Sequence, residues 1–291
     1  ARQALASGAG IPVALARGDR RAAGERAARA AENAGVVLAP IWGRERHREA
    51  APPPARPHRT LGDHPPIILL YHRVAASADD PLNLCVSPAN FREQVAVLAD
   101  ELEIVPMAQL AAERRPGTVA ITFDDGYLDN LSEALPVVAE AGGSMTLFAA
   151  TSRLTSGERF EWDDGELMTA DQAREFAAHA AADLSAHTRN HPSLAGMPLE
   201  TARDEIAGSR EDAADLRGGD PPPGFAYPFG IPRQNVDEQA MYLVEEAGYD
   251  YAVVNQPIPV YPDHDRFALP RFFAPDIAGA TFRDWLRARL W

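Results

Sequence analysis

Short apolar runs alternate with segments of helical periodicity from residue 66 to the end of the chain. The first run, Ile67-Ile68-Leu69-Leu70-Tyr71, is typical of a strand that is buried on both faces. Ser87-Pro88 then predicts the start of a helix that continues to about Asp100, with proline at the first helical position. Because strands and helices alternate repeatedly, we expect a parallel sheet that closes into a barrel.

The remaining predicted elements keep this alternation. Further strands are predicted near Ile104 and over residues 119–123, 145–149, 184–186, 225–227 and 251–254. Three helices are the clearest. One begins at Thr169, with Gln172 as its capping partner, and the other two cover residues 199–216 and 281–290. Functional residues of such barrels lie at the carboxyl ends of the strands. Four polar segments fall at such ends: Tyr71-His72, Asp124-Asp125, His187 and Tyr227-Pro228.

The first fifty residues are rich in alanine and arginine and precede a proline-rich segment. They predict a strand, a helix and a second strand over residues 11–16, 20–33 and 36–42. Residues 51–65 are typical of an extended linker. Residues 1–50 are therefore either a separate element, such as the tail of a preceding domain, or an extension that packs on the domain predicted over residues 66–291.

The charge balance restricts the partners of this chain. Of its 291 residues 42 are acidic and 28 are basic, so the formal net charge is -14. An acidic surface repels phosphate, which argues against nucleic acid and anionic lipid as partners. No apolar run is long enough for a transmembrane segment, and we expect no signal peptide in this sequence. The single cysteine, Cys85, excludes an internal disulfide and is expected to be partly buried.

Two motifs carry side chains suited to metal-assisted hydrolysis. Thr122-Phe123-Asp124-Asp125-Gly126 ends a predicted strand in a glycine turn, and His187-Thr188-Arg189-Asn190-His191-Pro192 follows another strand. Adjacent strand residues point to opposite faces, so the two aspartates reach one site only if the chain turns between them. One carboxylate could then bind a metal while the other acts as a base. The two histidines would complete a site with positions left for water and substrate.

Both motifs resemble signatures of the polysaccharide deacetylase family, carbohydrate esterase family 4. Its first signature is similar to Thr-Phe-Asp-Asp-Gly and its second to His-Ser/Thr-x-x-His-Pro. The resemblance covers roughly residues 66–291. It implies a distorted (β/α) barrel with fewer than eight regular units, and a hydrolase that removes N-acetyl groups from amino sugars.

The resemblance also implies roles for the motif residues. Asp125, His187 and His191 would bind a divalent metal. Nitrogen and oxygen ligands suit zinc, and cobalt or nickel would also fit. Asp124 would take the proton from the attacking water, and its alternative role is to orient a histidine.

The third family signature, which is similar to Arg-x-Pro-Tyr, is altered in this chain. The matching segment is Ala226-Tyr227-Pro228-Phe229-Gly230, which keeps only the proline. The backbone N–H of Phe229 can still stabilise an oxyanion, because that role does not depend on the side chain. The missing arginine orients the base in the family. We expect Arg271 to replace it, and the alternative for Arg271 is a surface salt bridge of little energy.

The late Leu-x-His segment of many family members is also absent. The corresponding tail reads Phe267-Ala268-Leu269-Pro270-Arg271. Leu70-Tyr71-His72-Arg73-Val74 instead resembles a subgroup in which the acid histidine follows the first strand. A histidine that ends an apolar strand is costly without a partner or a task, so we expect His72 to be the general acid. A satisfied core histidine is the alternative, and His264 is a reserve acid.

Three aromatic residues are candidates for substrate binding: Tyr127, Trp162 and Tyr227. We expect a metal-dependent N-deacetylase that acts on an N-acetylated polymer, oligosaccharide or small glycoside. The alternatives are hydrolysis of another non-peptide amide, such as a formyl group, and an inactive relative that only binds carbohydrate. A polymer substrate would imply the cell envelope or the extracellular space, and a small metabolite the cytoplasm.

Overall fold

A curved sheet of parallel strands forms the centre of the molecule. The computed structural model describes residues 61–77 and 80–290. The strands are β1 (Ile67–Tyr71), β2 (Arg73–Val74), β3 (Cys85–Val86), β4 (Glu103–Ile104), β5 (Thr118–Asp125), β6 (Met145–Ala149), β7 (Ala182–Ala186), β8 (Gly224–Ala226), β9 (Tyr251–Val254), β10 (Leu269–Pro270) and β11 (Phe272–Phe273).

Helices follow most of the strands and cover the outside of the sheet. They are α1 (Pro88–Glu101), α2 (Met107–Glu113), α3 (Leu135–Glu140), α4 (Thr151–Ser156), α5 (Ala170–Ala177), α6 (Leu199–Leu216), α7 (Glu238–Glu246) and α8 (Gly279–Leu290). A 3₁₀ turn at Leu61–Asp63 and a π-helical turn at Asn130–Ala134 complete the described elements.

Residues 269–273 close the sheet into a barrel. The strand order is β10-β9-β8-β7-β6-β5-β1-β11, and all neighbours are parallel. At one end Leu269 pairs with Val253, and at the other Phe272 pairs with Leu69. Because only Arg271 separates β10 from β11, the two ends of the sheet meet at this residue. The predicted distorted (β/α) barrel with fewer than eight regular units is confirmed.

The predicted elements are found close to their expected bounds. The predictions for β1, β6, β9 and α6 agree with the structure to the residue. The capping box between Thr169 and Gln172 is formed at the start of α5. The two-residue strands β10 and β11 were not predicted; Pro270 has no N–H to donate and argues against a strand inside a sheet.

Period-two alternation separates the inside of the barrel from the outside. Ile68, Ala120, Phe148, Val253 and Leu269 pack together inside the barrel, and side chains of α2 join this cluster. The intervening residues of the same strands pack outward against the helices in a larger core. Side chains at alternate positions beyond the strand ends therefore continue the inward-facing rows, and the functional site is built on these rows.

The amino-terminal predictions largely lie outside the described residues. This applies to residues 1–50 and to residues 51–60 of the predicted linker. Leu61 is buried in the core, so the packed part of the chain begins before the boundary predicted at residue 66. Among the described helices, none combines the length and apolar character needed to cross a membrane.

Candidate active site

The two aspartates end β5, and a turn directs both towards one site. Asp124 continues the inward-facing row of Ala120 and Thr122. Asp125 has a φ of 79° and Gly126 a φ of 103°, so the chain leaves the strand geometry immediately after Asp124. A side chain on Gly126 would also meet Leu154 at 2.9 Å. The turn that the sequence required for a shared site is present.

The two histidines flank a tight loop after β7. The Nδ1 of His187 lies 2.7 Å from the carbonyl oxygen of Ala226, so this nitrogen donates and Nε2 is free to act as a ligand. Thr188 and His191 have φ values of 64° and 65°, a backbone conformation that costs non-glycine residues energy. The Nε2 of His191 lies 3.4 Å from Oδ1 of Asp125, and that of His187 lies 3.7 Å from the same oxygen.

These side chains fit a divalent metal. One ligand atom from each of Asp125, His187 and His191 lies within 4.8 Å of the others, and all three residues are buried. Asp125 Oδ1 has no hydrogen-bond partner among the described residues, although it is buried. Burial and the neighbouring charge of Asp124 raise the pKa of Asp125 well above its usual value. Burial lowers the pKa of both histidines and keeps them neutral. A carboxylate that lacks a cation beside two neutral imidazoles is typical of a metal site.

A bidentate ion pair holds Asp124 next to these ligands. Arg271 donates from its two terminal nitrogens to the two carboxylate oxygens of Asp124, each at 2.7 Å. Both side chains are almost completely buried. Burial by itself raises the pKa of Asp124, but the charges of Arg271 and His187 outweigh it and hold this pKa below its usual value. Asp124 is therefore an ionised carboxylate with fixed orientation.

Asn255 links this ion pair to the loop after β8. Its Oδ1 accepts a hydrogen bond from Arg271 at 3.0 Å, and its Nδ2 donates to the carbonyl oxygen of Phe229 at 2.9 Å. Phe229 has a φ of 60°, and its ring meets that of His191 edge-on at 4.8 Å. Sequence reasoning missed Asn255. It continues the inward row of Val253 beyond β9, and extending the alternation by one step would have found it.

His72 follows β1 and continues the inward-facing row that includes Ile68. Its ring lies 5.3 Å from that of Phe273, and its Nδ1 has no hydrogen-bond partner among the described residues. Burial lowers the pKa of His72 to about 4, against the opposing charge of Asp124. His72 is therefore neutral at physiological pH and close enough to Asp124 to respond to its charge.

An aromatic wall borders the histidine loop. The ring of Phe160 packs edge-on against His191 at 5.2 Å, and Trp162 stacks on Phe160 at 4.9 Å. Arg73 holds the segment that carries these rings, because it donates to Asp163 at 2.8 Å. Trp162 is partly exposed. The exposed part of the Trp162 ring therefore offers a flat aromatic surface at the edge of the site, on which a ring-shaped ligand could stack.

Comparison with known proteins gives a match to one family of sequences. The sequence model described as polysaccharide deacetylase matches residues 111–252, a stretch that includes both motifs. Over this stretch the chain is similar to the polysaccharide deacetylase family.

One sequence relative and two solved structures are also similar to this chain, and the structures show the same fold. The chain is 26% identical over 229 residues to YxkH of Bacillus subtilis (strain 168), whose name places it provisionally among polysaccharide deacetylases, and the match covers 76% of each protein. The structure of the Streptococcus pyogenes deacetylase PplD superimposes with a TM-score of 0.66 at 19% identity, over 78% of this chain and 98% of PplD. IcaB from Ammonifex degensii gives a TM-score of 0.65 at 18% identity, over 80% of this chain and 100% of IcaB.

The structure differs from the sequence expectation at two candidate residues for substrate binding. Tyr127 and Tyr227 were predicted to bind substrate, but neither exposes any surface. Tyr127 lies under the guanidinium of Arg73, and the hydroxyl of Tyr227 donates to the carbonyl oxygen of Phe267. Tyr227 follows Ala226, which faces inward, so alternation directs its ring into the outer core. Direct substrate contact by these tyrosines was a wrong prediction.

His264, the reserve candidate for the acid, also lies away from the site. Arg114, which ends α2, donates to the carbonyl oxygen of His264 at 2.8 Å. Because α2 precedes β5, this contact lies at the amino-terminal end of the barrel, opposite to the site. His264 therefore cannot deliver a proton to a substrate at Asp124.

Proposed function

We propose that the protein is a metal-dependent N-deacetylase that hydrolyses the acetamide of an N-acetylated amino sugar. Acetate and a free amine would be the products. The observation that carries the proposal is that a cluster of candidate metal ligands and a buried arginine–aspartate ion pair lie next to each other in one site. Three candidate metal ligands lie within 4.8 Å of one another, and an arginine-bound carboxylate is adjacent to them.

Asp125, His187 and His191 would hold the metal, for which zinc is the best candidate by ligand type. When bound, such an ion lowers the pKa of water and polarises the amide carbonyl. The burial of these ligands excludes bulk water and strengthens the electrostatic effect of neighbouring groups.

Asp124 would accept the proton of the attacking water. A base must be ionised at the working pH, and Arg271 supplies the positive charge that keeps a buried carboxylate in this form. The bidentate contact also fixes the plane of the carboxylate, while each oxygen keeps a further lone pair for the proton.

The other two steps of amide hydrolysis need an oxyanion donor and an acid. We assign the first to the backbone N–H of Phe229, a residue whose carbonyl oxygen accepts a hydrogen bond from Asn255. We assign the second to His72. A neutral imidazole can take up a proton during the reaction and transfer it to the departing nitrogen.

Trp162 is our candidate for sugar contact. Its ring is partly exposed and lies 5.6 Å from that of His191, so a sugar stacked on it would present its substituent near the candidate metal ligands. The Streptococcus pyogenes deacetylase PplD was solved in complex with acetate, which is the product that we propose here.

The decisive experiment measures acetate release and metal content in parallel. The purified protein would be loaded with zinc and incubated with chitin oligomers, peptidoglycan, an N-acetylated exopolysaccharide and a small N-acetyl glycoside. We expect about one metal ion per chain and acetate release from at least one substrate, which chelation abolishes and zinc restores.

Matched formylated substrates separate the alternatives. Formate release without acetate release would indicate a deformylase. A protein that binds zinc and carbohydrate but releases neither acid would be an inactive relative, and either result would contradict the proposal.

A further inference from the structure

The loop between the two histidines is held from behind by a buried carboxylate of α6. Glu205 is 7% exposed, and the groups that donate hydrogen bonds to it within the described part of the chain are uncharged amides of the loop. One of its oxygens accepts from the backbone N–H of Arg189 at 3.0 Å and from that of Asn190 at 2.9 Å. Its other oxygen accepts from the side-chain amide of Asn190 at 2.7 Å.

These contacts fix a backbone that is otherwise unfavourable. Thr188 and His191 both have positive φ, a backbone conformation that is unfavourable for residues other than glycine. Glu205 satisfies the N–H groups of the two residues between them. The N–H of His191 donates to the hydroxyl of Thr188 at 2.9 Å. This loop conformation therefore gives a hydrogen-bond acceptor to each of the backbone N–H groups of Arg189, Asn190 and His191.

The same helix also binds the side chain of Arg189. Its guanidinium donates to both carboxylate oxygens of Asp212, at 2.9 Å and 3.0 Å. Gly208 makes room for it, because a Cβ at this position would overlap the guanidinium. The loop carbonyls of Thr188 and Arg189 accept from the first residues of α4, at 3.1 Å and 3.0 Å.

We infer that Glu205 is a positioning residue for His191 and thereby sets the affinity of the site for its metal. This inference rests on the proposed metal function of the two histidines. The carboxylate acts through hydrogen-bond geometry: its two oxygens must reach three donors at once, whereas its charge is not required. Partners that orient metal ligands typically change metal affinity by about 10–100-fold when they are removed.

Two substitutions separate the effect of the length of the Glu205 side chain from the effect of its negative charge. Glu205→Asp keeps the charge but shortens the side chain by one methylene, so it cannot reach all three donors. Glu205→Gln keeps the length, and its amide oxygen can still accept both backbone N–H groups while Asn190 turns its own oxygen to the new NH₂. Glu211→Gln is the matched control, because Glu211 is exposed on the same helix, is close enough to Arg189 to affect its pKa, and makes no contact with the loop N–H groups.

Zinc affinity would be measured by competition with a chromophoric chelator, on the folded proteins and well below their melting temperatures. We expect Glu205→Asp to weaken zinc binding at least ~10-fold, and Glu205→Gln and the control to stay within about threefold of the parent. Parent-like affinity in Glu205→Asp, or equal losses in the Asp and Gln variants, would overturn the inference. If the parent itself binds no zinc, the proposed function fails instead, so the two failures are distinguishable.

Discussion

The two sides of the site are built in different ways. On the acid–base side, which comprises His72, Asp124, Asn255 and Arg271, the side chains continue inward-facing rows of barrel strands. On the metal side, which comprises Asp125, His187 and His191, two of the three residues have positive φ and depend on turns. The first side is positioned by the barrel, and the second by loops that other elements hold in place.

The adjacent aspartates show what this difference does to chemistry. Asp124 is bound by Arg271, and its pKa lies below the usual value despite burial. Asp125 has no such partner among the described residues, and burial raises its pKa well above that value. The protein itself supplies a cation to Asp124, whereas none of the described residues donates a hydrogen bond to Oδ1 of Asp125. This is the physical reason to assign the base to the first and the metal to the second.

The largest expected effect comes from removing a metal ligand. His187→Ala should lose bound zinc and acetate release together, because two ligands cannot hold the ion against water. Metal content by elemental analysis and activity would be measured on the same sample. The control is His179→Ala, which removes an exposed histidine shortly before β7. Full zinc occupancy in His187→Ala would remove this residue from the metal side.

The next effect should appear on the acid–base side and leave the metal in place. Asp124→Asn keeps the shape of the side chain but cannot accept the proton of water. We expect kcat to fall at least ~100-fold, the lower end for loss of a general base. Zinc content is the internal control. Loss of zinc together with activity would show that the two sides are not separable, and near-normal turnover would exclude Asp124 as the base.

His72→Ala tests the acid within the same side. An amine is a poor leaving group that needs a proton, whereas the leaving group of an activated acetate ester does not. We expect a loss of ~100-fold on the amide and only a few-fold on the ester, with zinc retained. Equal losses on both substrates would indicate that His72 is a packing residue beside Phe273.

The smallest effect should come from the support of the base. Arg271→Lys keeps the charge but loses the bidentate geometry, so the pKa of Asp124 should rise. If Asp124 is the base, activity requires its ionised form and should be lost as the pH falls through its pKa. The acidic limb of the kcat/KM profile should therefore move to higher pH, by about one unit. An unchanged acidic limb would argue against Arg271 as the group that holds the base ionised.

Much of this arrangement could be predicted from local patterns. Alternating strands and helices predict a barrel, and the bounds of β1, β6 and α6 follow from apolar runs and helical periodicity. The metal ligands were predicted by two short motifs, and the structure brings their ligand atoms together. Local patterns suffice for these features because each is encoded within a few neighbouring residues.

Long-range pairings could not be predicted in the same way. Arg271 lies 147 residues from Asp124, and only the absence of the family arginine suggested it. Asn255 and Glu205 were missed because an asparagine after a strand and a glutamate within an amphipathic helix are ordinary residues. Their roles depend on which loop packs against them, which no local pattern contains.

The family resemblance suggested Asp124 as the base, and the sequence by itself determined the fold class and the candidate metal ligands. These follow from period-two and helical patterns and from residue types that metal-assisted hydrolysis requires. The tertiary structure alone decided that Arg271 reaches Asp124, because strand pairing of residues 269–273 with both β9 and β1 closes the barrel at that residue. It also decided that the tyrosines face the core, because the side of a strand on which a residue lies is settled only when the register is known.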